Sequence, residues 1–545
     1  MTKSKSGAPP SYKVGGGYAW YVVAVLTLVS AVSLIDRQII TILAGDIKRD
    51  LGLSDAEIGL VYGTVFAVFY AVFGIPLGRL ADSWRRTRLM ALGLAGWSLM
   101  TVASGLAGNL GQFAAARAGV AVGEATASPA AYSLLSDWFP KKQRATVIAI
   151  FSCGVSIGLG TSLGLGGSIV EAWSRWFPAG TAPLGLAGWQ GAFVIVGAPG
   201  LLLAILVATL REPPRGLADG VIQTPPSRPF KGAWEDLMAV VPPLSLLRLL
   251  MLRAPRREVW LNIAVLVGIG VAVALANRAA LALEPPEKIK VLFNLGGVAI
   301  TGHLLQWATV GLGAYVLYSW VQSLKLSDRP TYSLLWATPT VVALTAASAL
   351  FMTINYGLMG WSAFYAVTRF HAPLAEVGIK FGTIAAIFGL IGTYLGGWLA
   401  DFLRRWTVRG RLLVSLTAMV LPWPLVHLVY SAPDLRTFLL LFPILSVITT
   451  AWLPGVLSTC QELVLPRMRG ATGATFNLAA TMIGLGAGPY LVGLISDVTG
   501  DLKTGVLSIY LLSPLIWVCM AVALRGLPQA EASLLDRARQ AGEAV

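Results

Sequence analysis

The sequence predicts an all-α polytopic membrane protein of two six-helix bundles, with about two extra transmembrane helices inserted between them. Three observations carry this prediction. Charged residues are 12% of the 545-residue chain, whereas hydrophobic residues are 56%. Apolar stretches recur along the whole chain, each near the roughly 20 residues that a helix needs to cross the hydrocarbon core. A loop signature occurs twice, Gly78-Arg79-Leu80-Ala81-Asp82 and Gly397-Trp398-Leu399-Ala400-Asp401, each followed by a pair of arginines. A soluble protein covers its surface with about a quarter charged residues, and this chain has half of that. Disorder and coiled coil are excluded by the same composition.

Residues 1–17 form a polar tail with Lys3, Lys5 and Lys13. The apolar run from Tyr18 to about Ala44 is too long for a signal-peptide core and has no small-residue cleavage site, so it reads as a retained helix. Further spans near 57–81, 89–108, 112–135, 145–170 and 189–210 complete an N-terminal bundle over 18–211. Residues 212–332 form an insertion. It opens with a proline-rich linker (Pro213, Pro214, Pro225, Pro226, Pro229) and continues as an amphipathic stretch, Phe230 to Met251. A basic cluster, Arg253, Arg256 and Arg257, closes that stretch, which reads as an interfacial helix. Two spans near 259–282 and 292–320 follow, and an even number leaves the second half in its original orientation. Spans near 334–366, 375–400, 411–430, 435–460, 469–496 and 504–525 make a C-terminal bundle over 333–526, with a tail over 527–545. About fourteen spans result.

The basic residues set the orientation. Arg85, Arg86 and Arg88, then Lys141, Lys142 and Arg144, then Arg404, Arg405, Arg409 and Arg411 all fall in loops on one side, with both termini. The positive-inside rule makes that side cytoplasmic, in a cell (inner) membrane. The net charge of +15 therefore points to a membrane surface and not to nucleic acid. Cys153, Cys460 and Cys519 lie inside apolar runs without a CxxC pair, and read as packing thiols. The three histidines are far apart, so no metal or cofactor is expected. There is no phosphate-binding loop, HExxH or GxSxG in a suitable setting, which argues against an enzyme.

Few charges interrupt the helices, and each is costly at membrane depth. Asp36 and Arg37 fall in the first helix. Arg117 and Glu124 fall in the fourth, seven residues and so nearly two turns apart, on one face. Two acids and two bases sum to zero, which suits either a static salt-bridge network or a proton- and substrate-coupled one. On the second reading Asp36 and Glu124 exchange protons, and Arg37 and Arg117 hold an anion. Thr353, Asn355, Tyr356 and Asn477 are polar cavity candidates. Asp82, Arg85, Arg86 and Arg144, with Asp401, Arg404 and Arg405, are expected to gate the cytoplasmic side. Gly154, Gly158, Gly160 and Gly164 lie at spacings that permit close helix packing. The duplicated halves are the mark of a secondary transporter.

These residues resemble the major facilitator superfamily, across the chain except 212–332. The carrying features are the duplicated loop, the Arg117…Gly123-Glu124…Pro129 pattern, and the glycines from Gly154 to Gly167, without that family's usual proline. Within it the chain resembles spinster-like proteins through Asp36-Arg37-Gln38, Gly96-Trp97-Ser98-Leu99, Val122-Gly123-Glu124-Ala125, Ser136-Asp137-Trp138-Phe139-Pro140 and Gly486-Ala487-Gly488-Pro489. The Asp-Arg and Arg-Glu pairs also resemble organic anion:cation symporters. The first resemblance implies a major facilitator fold, alternating access, a monomer, and a lysolipid- or sphingolipid-like substrate moved with protons. The second implies sugar acids or related carboxylates.

Overall fold

The computed structural model describes residues 12–178, 181–219, 228–284, 289, 291–465 and 468–543. The chain is almost wholly helical. In order come α1 (Gly17–Leu51), α2 (Asp55–Ser83), α3 (Arg86–Gly105), α4 (Leu110–Glu124), α5 (Ala127–Trp138), α6 (Lys141–Trp176) and α7 (Gly188–Ala208). The insertion holds α8 (Pro229–Val240), α9 (Leu244–Met251), α10 (Arg256–Leu283), strands β1 (Val291–Leu295) and β2 (Val298–Thr301), then α11 (Gly302–Ser327) and α12 (Arg329–Leu335). Last come α13 (Pro339–Phe370), α14 (Leu374–Arg404), α15 (Gly410–Tyr430), α16 (Leu435–Glu462), α17 (Arg469–Ala479), α18 (Ala480–Thr499), α19 (Leu502–Ala532) and α20 (Leu534–Gln540).

Among the described residues, eleven helices are long and apolar enough to cross a membrane by themselves. The three remaining expected spans are helical too. α3 and α11 carry more polar residues, and the fourth span is broken into α4 and α5 at Ala125-Thr126. Pro129 explains the break, because it has no N–H for the Ala125 carbonyl.

Two compact units form, and they do not follow the sequence halves: one holds Met1–Ile40 and Val72–Leu237, the other Thr41–Ala71 and Met238–Val545. In the first unit α3 packs along α7, with Trp97, Trp138 and Trp189 fully buried. In the second, the start of α2 crosses α18. A Cβ on Gly63 would lie 2.2 Å from the Leu485 carbonyl oxygen, so only glycine allows that approach. This backbone contact, invisible to hydropathy, places 41–71 with the second unit.

The structure corrects several details. The span expected near 292–320 opens as an antiparallel hairpin, β1 with β2. Gly296 and Gly297, at φ 57° and 83°, make its two-residue turn, a left-handed backbone that glycine adopts freely. The amphipathic stretch is split into α8 and α9 by Pro242-Pro243. Residues 527–543 are no loose tail. Leu527, Ala530 and Ala538 are buried, and Arg537 Nη2 donates to the Ala530 carbonyl at 2.7 Å. Cys153, expected to pack, is exposed on α6.

Candidate functional site

In the first unit, α1 meets α6 along a glycine stripe. A Cβ on Gly154 would stand 2.4 Å from the Thr27 carbonyl oxygen, and one on Gly158 2.5 Å from that of Ala31. Ser162 Oγ continues the seam, donating to the Ile35 carbonyl at 3.1 Å. Gly160 is partly exposed and Gly164 buried on the same helix. This seam fixes the stretch of α1 that carries Asp36 and Arg37.

All four predicted charges converge there. Arg37 Nη2 donates to Glu124 Oε2 at 2.6 Å, and Ser33 Oγ donates to the same oxygen at 2.8 Å. Arg117 Nη1 donates to the Asp36 main-chain carbonyl at 3.1 Å. Asp36, Arg117 and Glu124 are at most 1% exposed. The Asp36 carboxylate faces Glu124, Arg117, Thr101 and Trp97, yet makes no ion pair among the described residues. The cluster thus holds one closed ion pair and one carboxylate that has no salt-bridge partner.

The polar residues expected to line a cavity are in the second unit, and the structure gives two of them ordinary helix contacts. Thr353 Oγ1 donates to the Ala349 carbonyl of its own helix at 3.0 Å. Asn355 Nδ2 donates to the Thr449 carbonyl at 2.9 Å. Tyr356 is half-buried on α13, and the side chain of Asn477 lies outside the described residues.

The basic loops pair differently from the expected Asp-Arg partnership. Arg86, not Asp82, is the hub. It is fully buried, donating to Glu212 Oε1 at 2.7 Å, Ser133 Oγ at 2.9 Å and the Pro213 carbonyl at 2.8 Å, and it pairs with Asp137. Burial alone would push the Glu212 carboxyl up, but the Arg86 charge and hydrogen bonds from Thr87 and Arg86 together hold it below its ordinary value. Arg215 donates to the carbonyls of Ala81 and Trp84, both at 2.7 Å, and so caps the end of α2. Asp82 and Arg85 are exposed. Arg144 Nε donates to the Ser136 and Phe139 carbonyls. In the second unit Asp401 pairs with Arg411 at 2.8 Å, Arg404 pairs with Glu531 at 2.9 Å, and Arg405 is exposed.

Sequence reasoning missed two clusters of the second unit. Asp497 accepts from the main-chain N–H groups of Asp55, at 3.1 Å, and Ala56, at 2.7 Å, and so caps α2. Ser496 Oγ donates to Asp55 at 2.7 Å, and Lys48 pairs with Asp55. The start of α2 was legible as Ser54-x-x-Glu57, whose reciprocal capping bonds are 3.1 Å and 3.0 Å. The distant Asp497 was not. The second cluster is buried: His303 Nδ1 hydrogen-bonds Tyr490 Oη at 2.8 Å, and Nε2 contacts the Glu284 carboxylate. It fastens the insertion to α18. Replacing His303 with Ala leaves Glu284 buried without that donor, at a cost of about 1–3 kcal/mol. Faster limited proteolysis of the connection at 284–301 is the expected result.

A model of the Major Facilitator Superfamily matches residues 26–489. The chain is 26% identical over 485 residues to an MFS-type efflux pump of Mycolicibacterium smegmatis, covering 89% of this chain and 86% of that one. It is 25% identical to spinster homolog 1 of Rattus norvegicus, over 88% and 74% of the two chains. A crystal structure of a bacterial homologue of the human lysosomal transporter spinster, inward-facing and occupied, shares the fold. Its TM-score is 0.63 at 24% identity, with 96% of each chain covered.

Proposed function

We propose, from the premise that this chain belongs to the Major Facilitator Superfamily and is a spinster-like, multi-pass membrane transporter, that it moves an amphipathic anion together with protons by alternating access. The observation that carries this reading is the Arg37–Glu124 pair, its carboxylate buried, beside the buried Asp36 carboxylate. A proton on Glu124 cancels the charge that holds Arg37. The cluster then carries one net positive charge, which an anionic headgroup neutralises. Proton and anion thus favour one another's binding, and the coupling is reciprocal. Arg117, held on the Asp36 carbonyl, supplies fixed positive charge for the same group. The Arg86 cluster and the glycine seam of α6 serve the conformational change, the first as a cytoplasmic brace and the second as a packing surface between helices.

The substrate class follows from the spinster resemblance: a lysolipid or sphingoid phosphate, whose long hydrocarbon chain suits a site short of hydrogen-bonding side chains. We read the chain as a monomer in the cell membrane, and its arginine-rich loops favour an orientation with both termini in the cytoplasm.

The test is competition binding to purified protein. A long-chain lysophospholipid or sphingoid phosphate is set against a sugar acid at several pH values. Lysolipid binding that strengthens as pH falls, and is lost in Arg37→Ala, is the expected result. Binding of the sugar acid alone, abolished by Arg117→Ala, would move the chain to the organic anion symporters.

A further inference from the structure

We propose that the basic elbow between α9 and α10 is a binding site for the headgroups of anionic phospholipids. The site rests on the orientation given above and is independent of what the protein transports.

Buried polar contacts fix the elbow in place. The hydroxyls of Ser245 on α9 and Tyr315 on α11 lie 2.5 Å apart. Tyr315 Oη donates to Asn262 Oδ1 at 2.6 Å, and Asn262 Nδ2 donates to Gln322 Oε1 at 2.8 Å. With Leu249 also buried, one face of α9 is committed to the insertion. The opposite face presents Leu247, Leu250 and Met251, which are 52%, 61% and 65% exposed. Such a face is stable only where acyl chains cover it.

The chain then turns through Leu252–Pro255, and α10 starts at Arg256. Arg253, Arg256 and Arg257 are all exposed, and none makes an ion pair among the described residues. The neighbouring acid offsets them only in part: Arg257 acts on Glu258 through its field, without a direct ion pair. Glu258 is turned inward, where Lys325 Nζ holds it at 2.8 Å and Gln322 Nε2 at 3.0 Å. Trp260, 69% exposed, comes next and begins the lipid-facing side of a span that is hardly buried at all.

Along the chain the order is therefore an apolar face, three arginines, an interfacial tryptophan and a lipid-facing helix. That order matches acyl region and phosphate level in one leaflet. Guanidinium groups bind phosphate by paired hydrogen bonds. A soluble polyanion would satisfy the arginines but leave Leu250 and Met251 in water, so a phospholipid is the occupant that satisfies both.

The experiment uses the full chain, reconstituted in vesicles of equal phosphatidylglycerol and phosphatidylcholine and then extracted for native mass spectrometry of retained lipid. Wild type is expected to retain phosphatidylglycerol preferentially. Each arginine replaced by glutamine should lower the preference about fivefold, in line with the worth of one basic residue at an anionic surface. Arg253→Lys, Arg256→Lys and Arg257→Lys together should keep most of it, and Arg436→Gln, on another exposed helix start, should leave it unchanged. Higher salt should weaken it. Equal retention by wild type and the triple glutamine variant would overturn the proposal, as would displacement of phosphatidylglycerol by inorganic phosphate.

Discussion

Replacing Arg86 with Ala is expected to destabilise the protein by about 3–5 kcal/mol, the range for breaking a buried ion pair from one side. Arg86 is fully buried and serves two carboxylates, Asp137 and Glu212, a serine hydroxyl and a main-chain carbonyl. Removing it leaves both acids without their direct partner, balanced only by the more distant charge of Arg215. It also frees the start of the linker, because Glu212 binds both Arg86 and the Thr87 N–H at 3.0 Å. The measurement is the fraction of monodisperse protein surviving a heat ramp in detergent. Arg86→Lys should recover part of the loss, since an ammonium keeps the charge but not the planar fork of donors. Asp82→Asn, on an exposed side chain, should cost far less. A survival curve for Arg86→Ala that overlays wild type would show that the cluster is not a brace.

Glu124→Gln with Asp36→Asn is expected to abolish pH-driven flux in proteoliposomes while leaving substrate exchange between equal pH on both sides. The Glu124→Gln change permanently mimics the protonated acid, so Arg37 loses its ion pair and, on the coupling proposed above, the site stays poised for an anion. Coupling free energies between sites typically reach 1–3 kcal/mol, roughly 5- to 150-fold in affinity, and that is the pH dependence at stake. Substrate affinity in the double variant should therefore no longer change with pH. Glu124→Gln alone isolates the closed pair, and Asp36→Asn alone isolates the carboxylate without an ionic partner. Flux in the double variant that still follows an imposed pH gradient would remove these two acids from the proton pathway.

The difference between these two sites shows where sequence reading succeeds. Asp36, Arg37, Arg117 and Glu124 stood out because a charge inside an apolar run is conspicuous, and the seven-residue spacing of Arg117 and Glu124 already put both on one helical face. Their convergence then needed only that α1 and α4 be neighbours. The helices were legible for a similar reason: apolar length and basic flanks are local properties of the chain. Only the tertiary structure decided the partners of charges that sit at helix ends. Asp82 and Arg86 are close in sequence, yet Arg86 reaches Asp137 and Glu212, 51 and 126 residues further on. Asp497 caps a helix 441 residues earlier, and no local pattern announces it. The same holds for Gly63, where the backbone of α18 comes too close for any side chain and draws 41–71 into the second unit. Which residues cross the membrane is set by transfer free energy along the chain. Which acid meets which base is set by how the helices pack, and that is a property of the folded chain alone.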